Sequence, residues 1–195
     1  VRNTVSIRRL RPAYTPEELH TVYAKQYDHT RWEDHIQRVN ATLDCIHAWT
    51  APSARRIVAD LSCGDATIAR NIEGTRLVIL GDYVHNDEYA FTGAIERTID
   101  LIGYVDLFVL SETLEHIDKP HELLVKIRNH ASQLILSTPR DEQDANNPEH
   151  YWGWDEHGVL DLLEQAGWAP SNHMLFTPTG PSAYYTYQIW GATHA

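Results

Sequence analysis

Four short apolar runs, Arg56 to Leu61, Arg76 to Leu80, Asp106 to Ser111 and Gln133 to Ser137, constrain this chain more than any other feature. Each is the length of a strand. Helical candidates at Ala66 to Ile72 and Pro120 to Ala131 separate members of the series. Strands alternating with helices predict a parallel sheet joined by right-handed crossovers. Asp155 to Ala166 adds a helix with Val159, Leu160, Leu163 and Ala166 apolar, and Gly167 supplies its stop. His173 to Phe176 and Tyr184 to Trp190, either side of Pro178 to Pro181, predict a terminal antiparallel pair. The expected fold class is α/β, a sandwich around a mostly parallel sheet that ends in an antiparallel hairpin.

Two helices precede this series. Thr15-Pro16-Glu17-Glu18 combines a capping residue, a proline at the first position and acids facing the helix dipole, and predicts a helix to about Asp28. Trp32, Ile36, Val39, Leu43 and Ile46 recur at three- and four-residue spacing, which predicts a second, amphipathic helix ending before Ala51-Pro52. The chain of 195 residues, 43% apolar, reads as one domain, with 1–52 as a helical lid and 53–195 as the core.

The longest apolar runs are far shorter than a membrane span, and Val1 to Ser6 lacks the apolar stretch of a signal peptide. A soluble, cytoplasmic protein with no membrane partner is the expectation. Cys45 and Cys63 are the only cysteines, too few for a disulfide framework or a cysteine zinc cluster, so any metal needs carboxylate and histidine ligands. The formal charge of −11 opposes tight nonspecific binding to a polyanion. Basic spots at Arg8, Arg9 and Arg11 and at Arg55 and Arg56 read as solvated ends of elements.

The chemistry is concentrated just past the third strand, at Glu112-Thr113-Leu114-Glu115-His116, where open α/β sheets place their ligands. A helical turn starting here puts Glu112 on one face with Glu115 and His116. Such a face can hold a divalent cation, activate a hydroxyl, or cap a helix. The first strand also runs into a tight turn and a helix start at Asp60-Leu-Ser62-Cys-Gly64-Asp-Ala66, and Asp82 closes the second strand, 22 residues after Asp60. A carboxylate at that distance grips a ribose diol in dinucleotide-type folds.

These residues, taken with Asp106 to Ile117, Leu136-Ser-Thr-Pro139 and Leu163 to Trp168 in order, resemble the class I S-adenosylmethionine-dependent methyltransferases over roughly Ile57 to Trp168. The resemblance implies a Rossmann-like sandwich and S-adenosylmethionine as cofactor. It places Ser62 and Gly64 against the methionine part, Asp82 on the ribose, and Ala94 and Ile95 near adenine, and counts Asp60 and Ser111 among the cofactor-binding residues. Ser62 and Ala66 replace the flanking glycines of the family's first motif, and Ala94 stands where many relatives carry an acid. The segment from Tyr83 to Thr92 is short for a full crossover helix. A nicotinamide fingerprint fits the glycine spacing poorly.

The third strand's end lacks the Asn/Asp-Pro-Pro-aromatic motif of amino-methylating relatives and the Pro-Cys of cytosine C5 enzymes, which leaves an oxygen acceptor by elimination. His150, before Tyr151-Trp-Gly-Trp154, makes the pattern E-x-x-E-H…H similar to small-RNA 3′-terminal 2′-O-methyltransferases; ubiquinone-pathway O-methyltransferases are similar at the first three positions. Both imply a divalent metal that activates the acceptor, on Glu112, Glu115 and His116 and, by the first resemblance, on His150 as well. Mn²⁺, Fe²⁺, Co²⁺ or Zn²⁺ suits that donor set better than Mg²⁺. Without a metal, His116 is the candidate general base, and packing is the structural alternative. Tyr151, Trp152 and Trp154, with Tyr14, Tyr23, Tyr27 and Trp32, are candidates for an aromatic wall over the acceptor. Three readings follow: an O-methyltransferase for a small diol-bearing acceptor such as a sugar or catechol-like ring, a ribose 2′-O-methyltransferase for an RNA end, and a non-catalytic cofactor-binding module.

Overall fold

The computed structural model describes residues 6–25, 28, 31–51, 56–143, 147–181 and 183–195. A seven-stranded sheet forms its centre. In chain order its strands are β2 (Arg56–Asp60), β3 (Thr75–Asp82), β4 (Phe91–Thr92), β5 (Val105–Ser111), β6 (Ala131–Pro139), β8 (Trp168–Phe176) and β9 (Tyr187–His194), and in space they run β4-β3-β2-β5-β6-β9-β8. The pairs from β4 to β6 are parallel, and β9 is antiparallel to both β6 and β8. The expected α/β class and terminal hairpin are therefore present. The last two strands are longer than the sequence pattern suggested, because Trp168 pairs with His194 across register that alternation alone does not mark.

β5 is apolar from Leu107 to Leu110 because both its faces are covered there. Leu107 and Val109 face a cluster with Val39, Cys45 and Ile46 of α2 (Glu33–Trp49) and Ile68 of α3 (Thr67–Arg70). Phe108 and Leu110 face the opposite cluster, with Leu123, Leu124 and Ile127 of α5 (Pro120–His130) and Val159 and Leu163 of α6 (Glu156–Gln165). The second N-terminal helix thus forms a layer of the sandwich.

The first helix, α1 (Pro16–Val22), differs. Its capping box forms as the sequence indicates, with Thr15 and Glu18 exchanging side-chain and backbone hydrogen bonds. It ends at Val22 instead of near Asp28, because Tyr23 leaves helical geometry at φ −97° and ψ 36°. None of its residues is fully buried, so no packed face sustains a longer helix. α3 is also only four residues long, and between β3 and α4 (Ile95–Thr98) the short strand β4 takes the place of a crossover helix.

A two-stranded ribbon was not evident in the sequence. β1 (Ile7–Arg9) pairs antiparallel with β7 (Trp152–Trp154), bringing the N-terminal segment against the residues that follow His150. Gly158 lets the chain close here, since a Cβ at that position would overlap the Ser6 carbonyl. No helix among the described residues is long and apolar enough to cross a membrane.

Candidate active site

The loop after β2, which the sequence resemblance assigns to the cofactor, is held by its own acids. Asp60 is buried and accepts the Ser62 amide at 3.2 Å. Burial pushes its pKa up to about 8; the Ser62 amide opposes the shift, and Asp82 and Asp65 add to it. Gly64 and Ala66 both take left-handed backbone, at φ 56° and 63°. The glycine uses its freedom there, whereas Ala66 adopts a conformation that an L residue with a Cβ resists. Asp82 accepts the Gly64 amide at 2.8 Å and the Val84 amide at 3.0 Å, which ties the tip of β3 to the loop. Ser62 Oγ accepts from Thr113 at 2.8 Å, linking the loop to the end of β5.

Past β5 the chain turns sharply. Glu112 has φ 50°, and a 3₁₀ turn at Leu114–His116 follows. The single helical face expected for Glu112, Glu115 and His116 does not form. Glu112 Oε1 instead accepts from Ser137 Oγ at 2.9 Å. Glu115 points inward, fully buried; its Oε2 accepts from Thr138 at 2.9 Å, and Thr138 in turn accepts from the Trp154 indole at 3.0 Å. The other oxygen, Oε1, has no hydrogen-bond partner among the described residues. Burial and the neighbouring Glu112 push the Glu115 pKa up to about 8.

His116 lies beside it, with Nε2 3.9 Å from Glu115 Oε1. Its Nδ1 donates to the Glu149 carbonyl at 2.9 Å and lies 3.2 Å from the Tyr23 hydroxyl, which interacts with the Glu149 carboxylate. That arrangement puts the ring proton on Nδ1 and leaves a lone pair on Nε2. Burial and the adjacent His150 lower the pKa of His116 to about 3, so the ring is neutral.

His150 arrives from the β6–β7 connection. Its ring centroid is 4.9 Å from that of His116. Nδ1 is 2.5 Å from Glu142 Oε2, and Nε2 is 3.0 Å from the Asn147 amide nitrogen. The Asn147 orientation is fixed, because its oxygen accepts the Glu149 amide at 3.0 Å. Burial opposes charge on His150, but the Glu142 hydrogen bond and the Glu115, Glu142 and Glu112 charges outweigh it and raise its pKa. Asn147 pulls the other way, since its N–H needs a lone pair on Nε2. A proton on Nδ1 shared with Glu142 meets both demands.

The structure therefore brings together three of the four residues proposed from the sequence as metal ligands. Ligand atoms of Glu115, His116 and His150 all lie within 4.8 Å of one another, and Glu112 lines the same cavity on the Ser137 side. The bare Glu115 Oε1 and the His116 lone pair are the donor types a divalent cation of the Mn²⁺ to Zn²⁺ group accepts. The residues present fit such a cation. His150 would join them through Nε2 once Asn147 releases it.

These side chains open into a cavity of about 370 Å³. Ser62, Gly64, Asp82, Ala94, Ile95 and Ser111 line it on the side assigned to the cofactor; Asp60 does not, and acts from behind the loop. A second hollow of about 620 Å³ shares Leu19, Tyr23, Tyr83, Val84, Gly93 and Ala94 with the first. The aromatic wall differs from the sequence expectation. Tyr151 and Trp154 are buried in packing, Trp32 is 46% exposed, and Tyr27 falls outside the described residues. Tyr23 of the expected wall does line the cavity, and Tyr83, Tyr185 and Tyr187 join it, with Arg38, Asn147 and Glu149. The β-strand alternation around Tyr185 and Tyr187 was the only sequence signal for the last pair.

No family model matches the sequence, and no curated protein does. Solved structures do. A Burkholderia thailandensis 1,6-didemethyltoxoflavin N1-methyltransferase with bound S-adenosylhomocysteine aligns at 18% identity and a TM-score of 0.69, over 96% of this chain and 94% of that one. The magnesium protoporphyrin IX methyltransferase of Synechocystis, also with S-adenosylhomocysteine bound, aligns at 15% identity and 0.65, over 92% and 94%. A small RNA methyltransferase aligns at 17% identity and 0.62, over 96% of this chain and 26% of that one. The chain has the Rossmann-like fold of the S-adenosylmethionine-dependent methyltransferases. A cyclase shares that fold at a TM-score of 0.63, so the fold alone does not fix the chemistry.

Proposed function

We propose that the chain is an S-adenosylmethionine-dependent O-methyltransferase that methylates a hydroxyl of a small diol-bearing acceptor, a sugar or a catechol-like ring, with help from a divalent metal. The observation that carries this reading is the buried Glu115 Oε1, without a hydrogen-bond partner, facing the lone pair of His116 Nε2 at 3.9 Å in the cavity that Gly64 and Asp82 also line. Similarity to neighbours bound to S-adenosylhomocysteine supports the cofactor.

Methyl transfer from a sulfonium is an in-line displacement, so the protein must align the nucleophile and deal with its proton. The loop from Ser62 to Gly64 and the Asp82 carboxylate would hold the methionine and ribose parts of the cofactor. Glu115, His116 and His150, with Glu112 beside them, would hold the metal, which supplies Lewis acidity to the acceptor oxygens. Tyr23 and Glu149 fix the His116 ring so that Nε2 faces the acceptor. Tyr185 and Tyr187 would flank an aromatic or sugar ring and exclude water.

A second reading, a ribose 2′-hydroxyl at an RNA end, is favoured by the position of His150 beside Glu115 and His116 and by the fold shared with a small RNA methyltransferase. The net charge of −11 favours the small acceptor. Transfer of label from the cofactor to a panel of diols and to a short RNA, with and without EDTA, separates the readings. The expected result is labelling of a diol that EDTA abolishes and Mn²⁺ restores. Labelling of RNA alone would replace the acceptor, and full activity in a metal-free sample would assign the proton transfer to His116.

A further inference from the structure

The sequence reads Arg8, Arg9 and Arg11 as solvated ends of elements, yet each is tied to a backbone carbonyl far along the chain. Arg8 Nη1 donates to the Gln143 carbonyl at 3.0 Å, Arg9 Nη1 to that of Asp118 at 3.2 Å, and Arg11 Nη1 to that of Pro148. Each of these carbonyls adjoins the site. Gln143 follows Glu142, Pro148 lies two residues before His150, and Asp118 lies two residues after His116. Arg9 also spans the two histidine-bearing segments. Its Nη2 donates to Asp118 Oδ1 at 2.7 Å, while its guanidinium lies 4.7 Å from the Trp152 ring and 5.5 Å from the Tyr151 ring. Arg11 lies over Tyr14 at 3.9 Å, and the Tyr14 amide donates to the Tyr151 hydroxyl at 3.1 Å.

These contacts add little to stability. The Arg9 and Asp118 side chains are 32% and 53% exposed, and ion pairs so open to solvent are weak. Their effect is geometric. Among the described residues, the connection from Arg140 to Tyr151 holds no helix or strand, so no ladder of backbone bonds places Glu142 and His150. Two bonds join it and β7 to the turn after β5, from the Tyr151 amide to the Glu115 carbonyl at 2.7 Å and from the Trp152 indole to the Ile117 carbonyl at 2.9 Å. The arginines brace that junction from the other side. A guanidinium can serve a carbonyl, a carboxylate and a ring face at once, and a metal site needs its donors held to about 0.5 Å. We propose that Arg8, Arg9 and Arg11 are positioning residues for the metal site, holding the His150 segment against the Glu115–His116 turn from β1. This rests on the metal reading above.

The test compares the full-length wild type with Arg9→Met and Arg11→Met, singly and together, and with Arg9→Lys. Calorimetry measures the affinity for Mn²⁺ and, separately, for S-adenosylmethionine, and the visible absorption of bound Co²⁺ reports donor geometry. Each Met variant is expected to bind Mn²⁺ about three- to tenfold more weakly, less than the roughly 10–100-fold lost when a group bonded directly to a ligand is removed. The double variant should lose more, and the Co²⁺ spectrum should change. Affinity for S-adenosylmethionine should stay within about twofold of the wild type, because the loop after β2 is remote from β1. Arg9→Lys should recover part of the Mn²⁺ affinity, since the charge and the ring contact persist. Variants that bind Mn²⁺ and give the Co²⁺ spectrum as the wild type does would overturn the proposal and leave the arginines as packing residues. Equal losses for metal and cofactor would also overturn it, as a general disturbance of the fold. A wild type that binds neither Mn²⁺ nor Co²⁺ would overturn the metal reading and the proposal together, and its binding of S-adenosylmethionine would show whether the cofactor reading stands.

Discussion

Glu142 and His150 meet at 2.5 Å between Oε2 and Nδ1, with both side chains about 5% exposed. The Tyr185 hydroxyl donates to the second oxygen of Glu142 at 3.3 Å. A carboxylate behind an imidazole fixes its tautomer and aims the opposite nitrogen, the arrangement by which metal-binding histidines are held. Glu142→Gln should therefore weaken Mn²⁺ binding and turnover by about 10–100-fold, with S-adenosylmethionine affinity nearly unchanged because the cofactor loop is elsewhere. Calorimetry with each ligand checks this. Equal loss for metal and cofactor would mean that the substitution disturbs the fold instead.

Gly153 packs directly against the same acid. A Cβ at this position would overlap the Glu142 carbonyl, so Gly153→Ala must move one of the two strands of backbone. The expected cost is about 1–3 kcal/mol of stability, together with weaker Mn²⁺ binding as Glu142 shifts. Urea unfolding and a metal titration test the pair of effects. A variant as stable as the parent that binds metal normally would show that the backbone yields there at no cost to the site.

Asp82 has two duties, holding the Gly64 and Val84 amides and, on the proposed reading, the ribose hydroxyls. Asp82→Ala should reduce S-adenosylmethionine affinity by about 1.5–3 kcal/mol. Asp82→Asn keeps one acceptor oxygen and should lose less. If calorimetry finds both variants at wild-type affinity, the ribose is held by another residue.

Asp60 makes stability depend on pH. Its folded-state pKa of about 8 lies above the ordinary carboxylate value of about 3.9. Between those values the folded protein keeps a proton that the unfolded chain has lost, so stability falls as pH rises through this window and levels off above about 8. Each tenfold change in proton affinity is worth about 1.4 kcal/mol, so Asp60→Asn should flatten the slope and gain a few kcal/mol near pH 8. Thermal melts from pH 5 to 9 measure it. An unchanged slope in the variant would place the responsible group elsewhere.

The sequence showed most clearly what local pattern encodes. Apolar runs marked β2, β3, β5 and β6, and the acids at their tips, Asp82 and Glu115, do line the cavity. Residues whose role depends on distant partners did not stand out. Arg38 reads as one basic residue of an amphipathic helix until β5 and β9 place Ser111 and Tyr187 against it. Glu142 has no motif, since its partner His150 is defined by a loop conformation. The aromatic cluster at Tyr151 to Trp154 was legible as a feature and misassigned as a wall, because its rings serve packing, with Trp154 donating to Thr138. Glu112 left its expected face because one residue adopted positive φ.

The β1–β7 ribbon gives the site a late step in assembly. Arg11 reaches the Pro148 carbonyl from 137 positions away, and Arg8 reaches that of Gln143 from 135. Contacts at such separation carry a large loop-closure cost and form slowly. During synthesis the N-terminal strand emerges early and has no partner until the segment bearing His150 follows it. Glu115 and His116, on the central sheet, can be in place well before His150 is brought to them. The site's ligand set is then completed only when β1 and β7 have paired.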